Sequence, residues 1–196
     1  MSGGGEETRP GLISRRSVYR GRIVDLSIDQ VRFPDGTKGE LELIRHIGAS
    51  AVVPFLDAPG HPDPRIVLIR QYRYAAGGEI WEVPAGMPDT PGEDPESCAV
   101  RELAEEAGYR AGELRYLTRI FTTPGFTDEV IHLYAAWDLT PTGSDLDADE
   151  FLTVVEMPMS EALSKLEVGE IVDAKSVAAL LYADRFLRAP RSAGHG

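Results

Sequence analysis

Residues 86–109 read GMPDTPGEDPESCAVRELAEEAGY, and this stretch decides how the rest of the chain is read. Asp94 is suited to cap a helix N-terminus, Pro95 to the first helical position and Gly108 to the residue just past the end, so the spacing predicts a helix over 95–107. At about 100° per residue, Ala99, Val100, Leu103 and Ala107 form one apolar stripe. Glu102, Glu105 and Glu106 fall within an arc of about 100° beside it, with Arg101 at the edge of the arc. Glu102 and Glu106 are like charges at i,i+4, which disfavours an isolated helix. One arginine cannot neutralise three carboxylates, whereas a divalent cation can, and Mg²⁺ prefers hard oxygen ligands. Taken alone, the acidic face reads more readily as a solvated surface, since charged faces are common; the flanking sequence changes that.

Working outward, 80–83 is a short strand ending at Pro84. ASAVVPFL (49–56) and RIVLIRQYR (65–73) form an apolar pair of strands joined by the turn-rich DAPGHPDP. Strands are expected at 114–122 and 129–137, the latter alternating through Val130, His132 and Tyr134, then a polar loop at 138–149 and a last strand at 150–157. Residues 159–167 and 173–188 have helical spacing. Upstream, 17–33 and 40–46 read as strands separated by the turn Pro34-Asp35-Gly36-Thr37. Strands and helices are mixed without a regular βαβ rhythm, which predicts an α/β (α+β) protein with a mixed sheet between helices. The domain organisation expected is a flexible start (1–11), an N-terminal antiparallel β segment (12–46) too small to bury its own core, a main domain (47–188) and a flexible tail (189–196).

The 196 residues are 42% hydrophobic and 27% charged, ordinary for a globular chain. No apolar run approaches a membrane span, and the start lacks the order of a signal peptide. A net charge of −12 argues against broad nucleic-acid or anionic-membrane binding, although placed arginines and bound cations can still hold an anionic small molecule. Cys98, the single cysteine, fits a reducing, cytoplasmic setting and reads as a small core residue. Trp81 reads as core rather than as a base-stacking platform, and His132 as structural.

From Glu93 onward the opening stretch resembles the Nudix box. Glu93, Arg101, Glu102, Leu103, Glu105, Glu106, Gly108 and Tyr109 all fall on its fixed positions, after Gly86. The departure is one additional residue between Gly86 and Glu93, in a Pro/Gly loop where insertions are tolerated. The resemblance covers roughly 45–188 and implies a Nudix-like α/β/α sandwich that hydrolyses nucleoside diphosphate derivatives with Mg²⁺, or Mn²⁺ in its place. It implies that Glu93 steadies the loop and helix through Arg101. It further implies that Glu102, Glu106 and the Ala85 carbonyl hold the metal with Glu105 close by, and that Gly86 and Gly108 are structural.

Downstream, TPGFTDE (123–129) places Pro124 fifteen residues past Tyr109, which is similar to the ADP-ribose pyrophosphatase branch. That branch implies Glu129 as general base or further metal ligand, acting with Glu105 and Arg101. It implies substrate contacts from Arg73 in Gln71-Tyr72-Arg73, from Glu82 and Met87 in EVPAGM, and from Glu42. The basic residue often found just before Glu42 is absent, since Glu40 and Leu41 stand there. The implied reaction is cleavage of the ADP-ribose pyrophosphate to AMP and ribose 5-phosphate, in a homodimer formed through the N-terminal segment. Alternatives are the same chemistry on nucleotide sugars, dinucleotides or FAD, and a non-catalytic ligand sensor, which would be expected to have lost box carboxylates. An RNA 5′-end hydrolase is disfavoured by the acidic charge.

Overall fold

The computed structural model describes residues 9–90, 92–143 and 151–188. Among these, the chain forms β1 (Gly11–Arg20), β2 (Asp25–Arg32), β3 (Lys38–Arg45), β4 (Ala49–Pro54), β5 (Arg65–Arg73), β6 (Gly78–Glu82), β7 (Ala85–Gly86) and α1 (Pro95–Ala107). These are followed by β8 (Tyr109–Phe121), β9 (Val130–Pro141), β10 (Leu152–Pro158), α2 (Met159–Glu167) and α3 (Ala174–Tyr182). Two compact units result. One holds Gly48–Ile120 and the described residues from Ile131 onward; the other holds the described residues up to Ile47 together with Phe121–Val130.

In the larger unit, β4 lies parallel to β9, with Ala51 opposite Leu133, and antiparallel to β7, with Ser50 opposite Gly86; β8 flanks β9. A second sheet has β5 between β10 and β6, all antiparallel. The near-continuous apolar runs of β4 and β5 are explained by cover on both faces. Because side chains alternate across a strand, Ala51, Val53, Ile66, Leu68, Leu133 and Ala135 enter one core with Met159 and Ala162 of α2 and Ala179 and Leu180 of α3. Val52, Val67, Tyr134 and Ala136 enter a second core with Ala99, Leu103 and Ala107 of α1. The unit is therefore an α/β/α sandwich with a mixed sheet.

The helix α1 has the predicted ends. Asp94 accepts hydrogen bonds from the amides of Glu96 and Ser97, and Gly108 adopts the left-handed conformation that closes the helix, with φ of 73°. Its faces differ from the expected stripe in one respect: Val100 is exposed, whereas Glu102 and Glu106 are buried beside Ala99, Leu103 and Ala107. The buried arc is shifted toward the carboxylates because β7 and the loop after it cover that side of the helix.

The smaller unit contains the antiparallel meander β1-β2-β3. The single strand expected over 17–33 is divided: Gly21 donates to the Val24 carbonyl at 2.8 Å and turns the chain between β1 and β2. Gly11, expected in a flexible start, opens β1; residues 1–8 and the predicted tail 189–196 lie outside the described residues. β1 is exposed along its whole length and carries Leu12, Ile13, Val18 and Tyr19 outward. Buried Asp29 on β2 accepts from Ser27 and from Arg15 at 2.9 Å each and pairs with Arg45 of β3.

Elsewhere strand limits move by a few residues. β8 begins at Tyr109, directly after the helix cap, with Gly112 inside it. A Cβ there would come within 2.5 Å of the Asp138 carboxylate, so the glycine permits close approach to β9. β9 runs on to Pro141 into the expected polar loop, of which 144–149 lie outside the described residues, as does residue 150 of the expected last strand. The helix expected over 173–188 is α-helical to Tyr182 and π-helical from Ala183 to Arg188.

Leu103 is fully buried under β4 and β5. Leu103→Ala should lower the free energy of unfolding by about 2–5 kcal/mol, measured by chemical denaturation of both proteins.

Candidate active site

β7 is only two residues long, yet it organises the acidic face of α1. The Ala85 amide donates to Glu106 Oε2 at 2.7 Å. A Cβ on Gly86 would lie 1.9 Å from Glu102 Oε1, so the Glu102 carboxylate occupies the space a side chain would need. Ser50 of β4 donates to the Pro95 carbonyl at 2.7 Å and fixes the start of the helix on the sheet. Glu102 and Glu106 are 6% and 2% exposed. Burying two carboxylates carries a large desolvation cost unless charge and hydrogen bonds compensate.

Part of that compensation is Arg101. Its Nη1 contacts Glu102 and Glu105 at 2.8 Å each, and its Nη2 donates to the Met87 carbonyl at 2.8 Å. Its Nε lies 3.2 Å from both Glu93 and Asp89. Burial acts to lower the Arg101 pKa, but these carboxylates drive it well above the usual arginine value. Glu93 is held below the usual glutamate range by Arg101 and by the Asp89 amide. Arg101 thus ties the loop 87–93 to the helix, and Met87 belongs to this tie through its backbone. Cys98 is buried with its Sγ 3.4 Å from the Gly86 carbonyl.

A second charged group lies where β5 and β6 meet the start of α3. Arg73 holds Glu82 through two bonds, Nε to Oε1 at 2.7 Å and Nη2 to Oε2 at 2.8 Å. Lys175 also pairs with Glu82, and it reaches Asp173 at 3.0 Å. Asp173 caps α3 through the Ser176 amide, while the Ser176 hydroxyl accepts from the Val83 amide at 2.9 Å. Glu82 raises the Arg73 pKa, and Glu106 adds to the same field. Trp81, half-buried against the first core, has Arg70 and Lys165 at 5.1 and 5.4 Å from its ring centre.

In the smaller unit, Glu129 follows the turn at 123–127. Its Oε2 accepts from the Thr122 hydroxyl at 2.7 Å and its Oε1 lies 3.2 Å from His46 Nδ1. Glu42 is exposed on β3, opposite Ile28 in the register.

The larger unit therefore brings together Ala85, Gly86, Met87, Glu93, Arg101, Glu102, Glu105 and Glu106, and places Arg73 beside Glu82. Glu42 and Glu129 belong to the smaller unit. Sequence reasoning missed Lys175, Asp173 and Ser176, whose only local signal is an aspartate at a helix start, and missed Arg45, His46 and Asp128 around Glu129. Among the described residues, no three His, Cys, Asp or Glu side chains form a ready-made metal cage. Two buried carboxylates beside a peptide backbone are nonetheless a donor set that fits a hard divalent cation, which commonly takes only part of its shell from protein and the rest from water and phosphate.

A NUDIX domain model matches residues 45–180. The chain belongs to the Nudix family and is a hydrolase; enzymes of this family generally use divalent metal ions. An ADP-ribose pyrophosphatase of Bacillus subtilis (strain 168) is 36% identical over 172 residues, covering 87% of this chain and 90% of the relative. A methanol dehydrogenase activator of Bacillus methanolicus is 38% identical with the same coverage. A GDP-mannose pyrophosphatase of Klebsiella pneumoniae is 39% identical over 127 residues, 60% of this chain and 63% of the relative. Among solved structures, an ADP compounds hydrolase superposes with a TM-score of 0.76 at 26% identity, covering 92% of this chain and 95% of that one. No helix among the described residues is long and apolar enough to cross a membrane.

Gly86→Ala should leave the fold intact but displace the Glu102 carboxylate; an unchanged circular dichroism spectrum with a severe loss of turnover is the expected pair of results. Burial alone would raise the Glu82 carboxyl, but Arg73 and Lys175 hold it below the usual range. A lowered folded-state pKa contributes stability that is complete above the unfolded value of about 4.3 and is lost as pH falls through the folded one. Glu82→Gln should therefore cost about 3 kcal/mol at neutral pH, the low end for a broken buried pair because Arg73 stays partly solvated. The gap to the unsubstituted protein should narrow below about pH 4, as read from thermal unfolding across pH.

Proposed function

We propose that this chain is a Mg²⁺-dependent pyrophosphatase that cleaves ADP-ribose to AMP and ribose 5-phosphate. The observation that carries the reading is the burial of Glu102 and Glu106 against the Ala85–Gly86 backbone, within an otherwise fully populated box. Relatives named for ADP-ribose over most of the chain support the substrate.

Glu102, Glu106 and the Ala85 carbonyl would hold Mg²⁺, or Mn²⁺ in its place, a further ligand role for Glu129 being the alternative to its role as base. When bound, the metal neutralises phosphate charge and makes the attacking water more acidic. Arg73, its guanidinium plane set by Glu82, contacts the phosphates, for which a planar fork is suited. Glu82, Met87 and Glu42 would supply further substrate contacts. Glu129 accepts the proton of the attacking water, a role assigned from the resemblance of its loop alone. Arg101 keeps Glu102 and Glu105 oriented while Glu93 anchors it. Catalysis is then chiefly positioning and electrostatics.

The proposal includes a cytoplasmic homodimer built through residues 12–46. An exposed β1 with four large apolar side chains supports this, since a bare apolar edge strand invites pairing. A nucleotide-sugar substrate is the second reading, favoured by the GDP-mannose pyrophosphatases among the relatives.

The test is release of AMP from ADP-ribose with Mg²⁺, set against a panel of nucleotide sugars, dinucleotides and FAD. ADP-ribose should have the highest kcat/KM, and a nucleotide sugar in that place would overturn the substrate assignment. Glu106→Gln should cost orders of magnitude in kcat with little effect on unfolding; a near-normal rate would overturn the role of the box.

A further inference from the structure

Three consecutive residues at the end of β3, Ile44, Arg45 and His46, each grip the segment that carries Glu129. Ile44 donates its amide to the Phe126 carbonyl at 2.8 Å and bridges Thr127 in parallel register. Arg45 Nη1 contacts Asp128 Oδ2 at 2.8 Å, and the His46 amide donates to Asp128 Oδ1 at 2.9 Å. His46 Nδ1 then lies 3.2 Å from Glu129 Oε1, while Thr122 donates to Glu129 Oε2 at 2.7 Å. Both oxygens of one carboxylate are thus met by residues that stand just past the ends of β3 and β8. The His46 side chain is 15% exposed and that of Glu129 24%, so the contact is sheltered without being sealed.

The grip extends further. Arg45 also pairs with buried Asp29, which in turn holds Arg15 of β1. Opposite charges alternate from Arg15 through Asp29 and Arg45 to Asp128, so the meander is tied to the residue immediately before Glu129. A glutamate beside a turn has several rotatable bonds, and a general base works only when its oxygen is presented within hydrogen-bond reach of its proton. A rotamer fixed in advance removes that search.

We propose that His46 is a positioning residue for Glu129, fixing its carboxylate together with Thr122 while Arg45 fixes the backbone through Asp128. The meander then serves the reaction in addition to any role in assembly. This inference rests on the reading of Glu129 as general base.

The test uses the full chain with His46→Asn, His46→Gln, Glu129→Gln and the double variant His46→Gln/Glu129→Gln. An asparagine amide can take the place of Nδ1, whereas glutamine carries its amide one methylene too far. Two measurements are made: kcat and KM for AMP release, and amide hydrogen exchange of residues 122–129 without metal or substrate. His46→Gln should lower kcat by about tenfold with KM nearly unchanged, and His46→Asn should recover most of the loss. Exchange in 122–129 should quicken in His46→Gln alone of the two. In the Glu129→Gln background, His46→Gln should have no further effect on kcat, the non-additivity expected of one acting through the other. Equal behaviour of the Asn and Gln variants, or a His46→Gln loss that persists in full without Glu129, overturns the positioning role and leaves the Glu129 reading standing. A normal kcat in Glu129→Gln overturns both.

Discussion

Two glutamates on one helix turn, both driven out of water, set the terms for the larger unit. Glu102 and Glu106 repel each other and each loses hydration on burial, so the sequence around them has to supply partners at fixed places. The Ala85 amide and the space above Gly86 provide two of these, and Arg101 a third. That requirement explains why β7 is so short. It has only to hold one amide and one side-chain-free residue against α1, and Ser50 on β4 fixes the helix start while β4 holds β7 in register.

The positive charges are distributed accordingly. Arg101 is committed to the loop and helix, sharing itself among Glu93, Asp89, Glu102 and Glu105. Arg73 and Lys175 converge on Glu82, a buried carboxylate that keeps two cations close together in a protein whose net charge is strongly negative. Without Glu82 those cations would repel each other and swing outward. The acidic composition therefore coexists with two cations gathered near Glu106, held in place by the carboxylates of Glu82 and Asp173.

What could be read from the sequence follows the range of the interactions. The limits of α1 were legible because Asp94, Pro95 and Gly108 act within a turn of where they stand, and the box because its members lie within a single loop and helix. The apolar run of β4 and the alternation of β9 marked both as strands for the same reason. The division between β1 and β2 was not legible, since Gly21 resembles any glycine in a strand until its partner Val24 is seen. The start of β8 was not legible either, since the close approach that Gly112 permits involves Asp138 on a neighbouring strand. Lys175 with Glu82 and His46 with Glu129 are pairs far apart in the chain, and neither residue of such a pair announces the other. The exposure of Val100 depended on which side of the helix the loop would cover.

Cys98 sits in contact with the Gly86 carbonyl, one residue from the backbone that backs the acidic pair. Burial pushes its thiol up to about 11, and Glu102 adds to the effect. At neutral pH only about one molecule in ten thousand would carry the reactive thiolate. The chain thus keeps a soft, space-filling sulfur beside two buried carboxylates, in the thiol form that reacts only slowly with peroxides and disulfides.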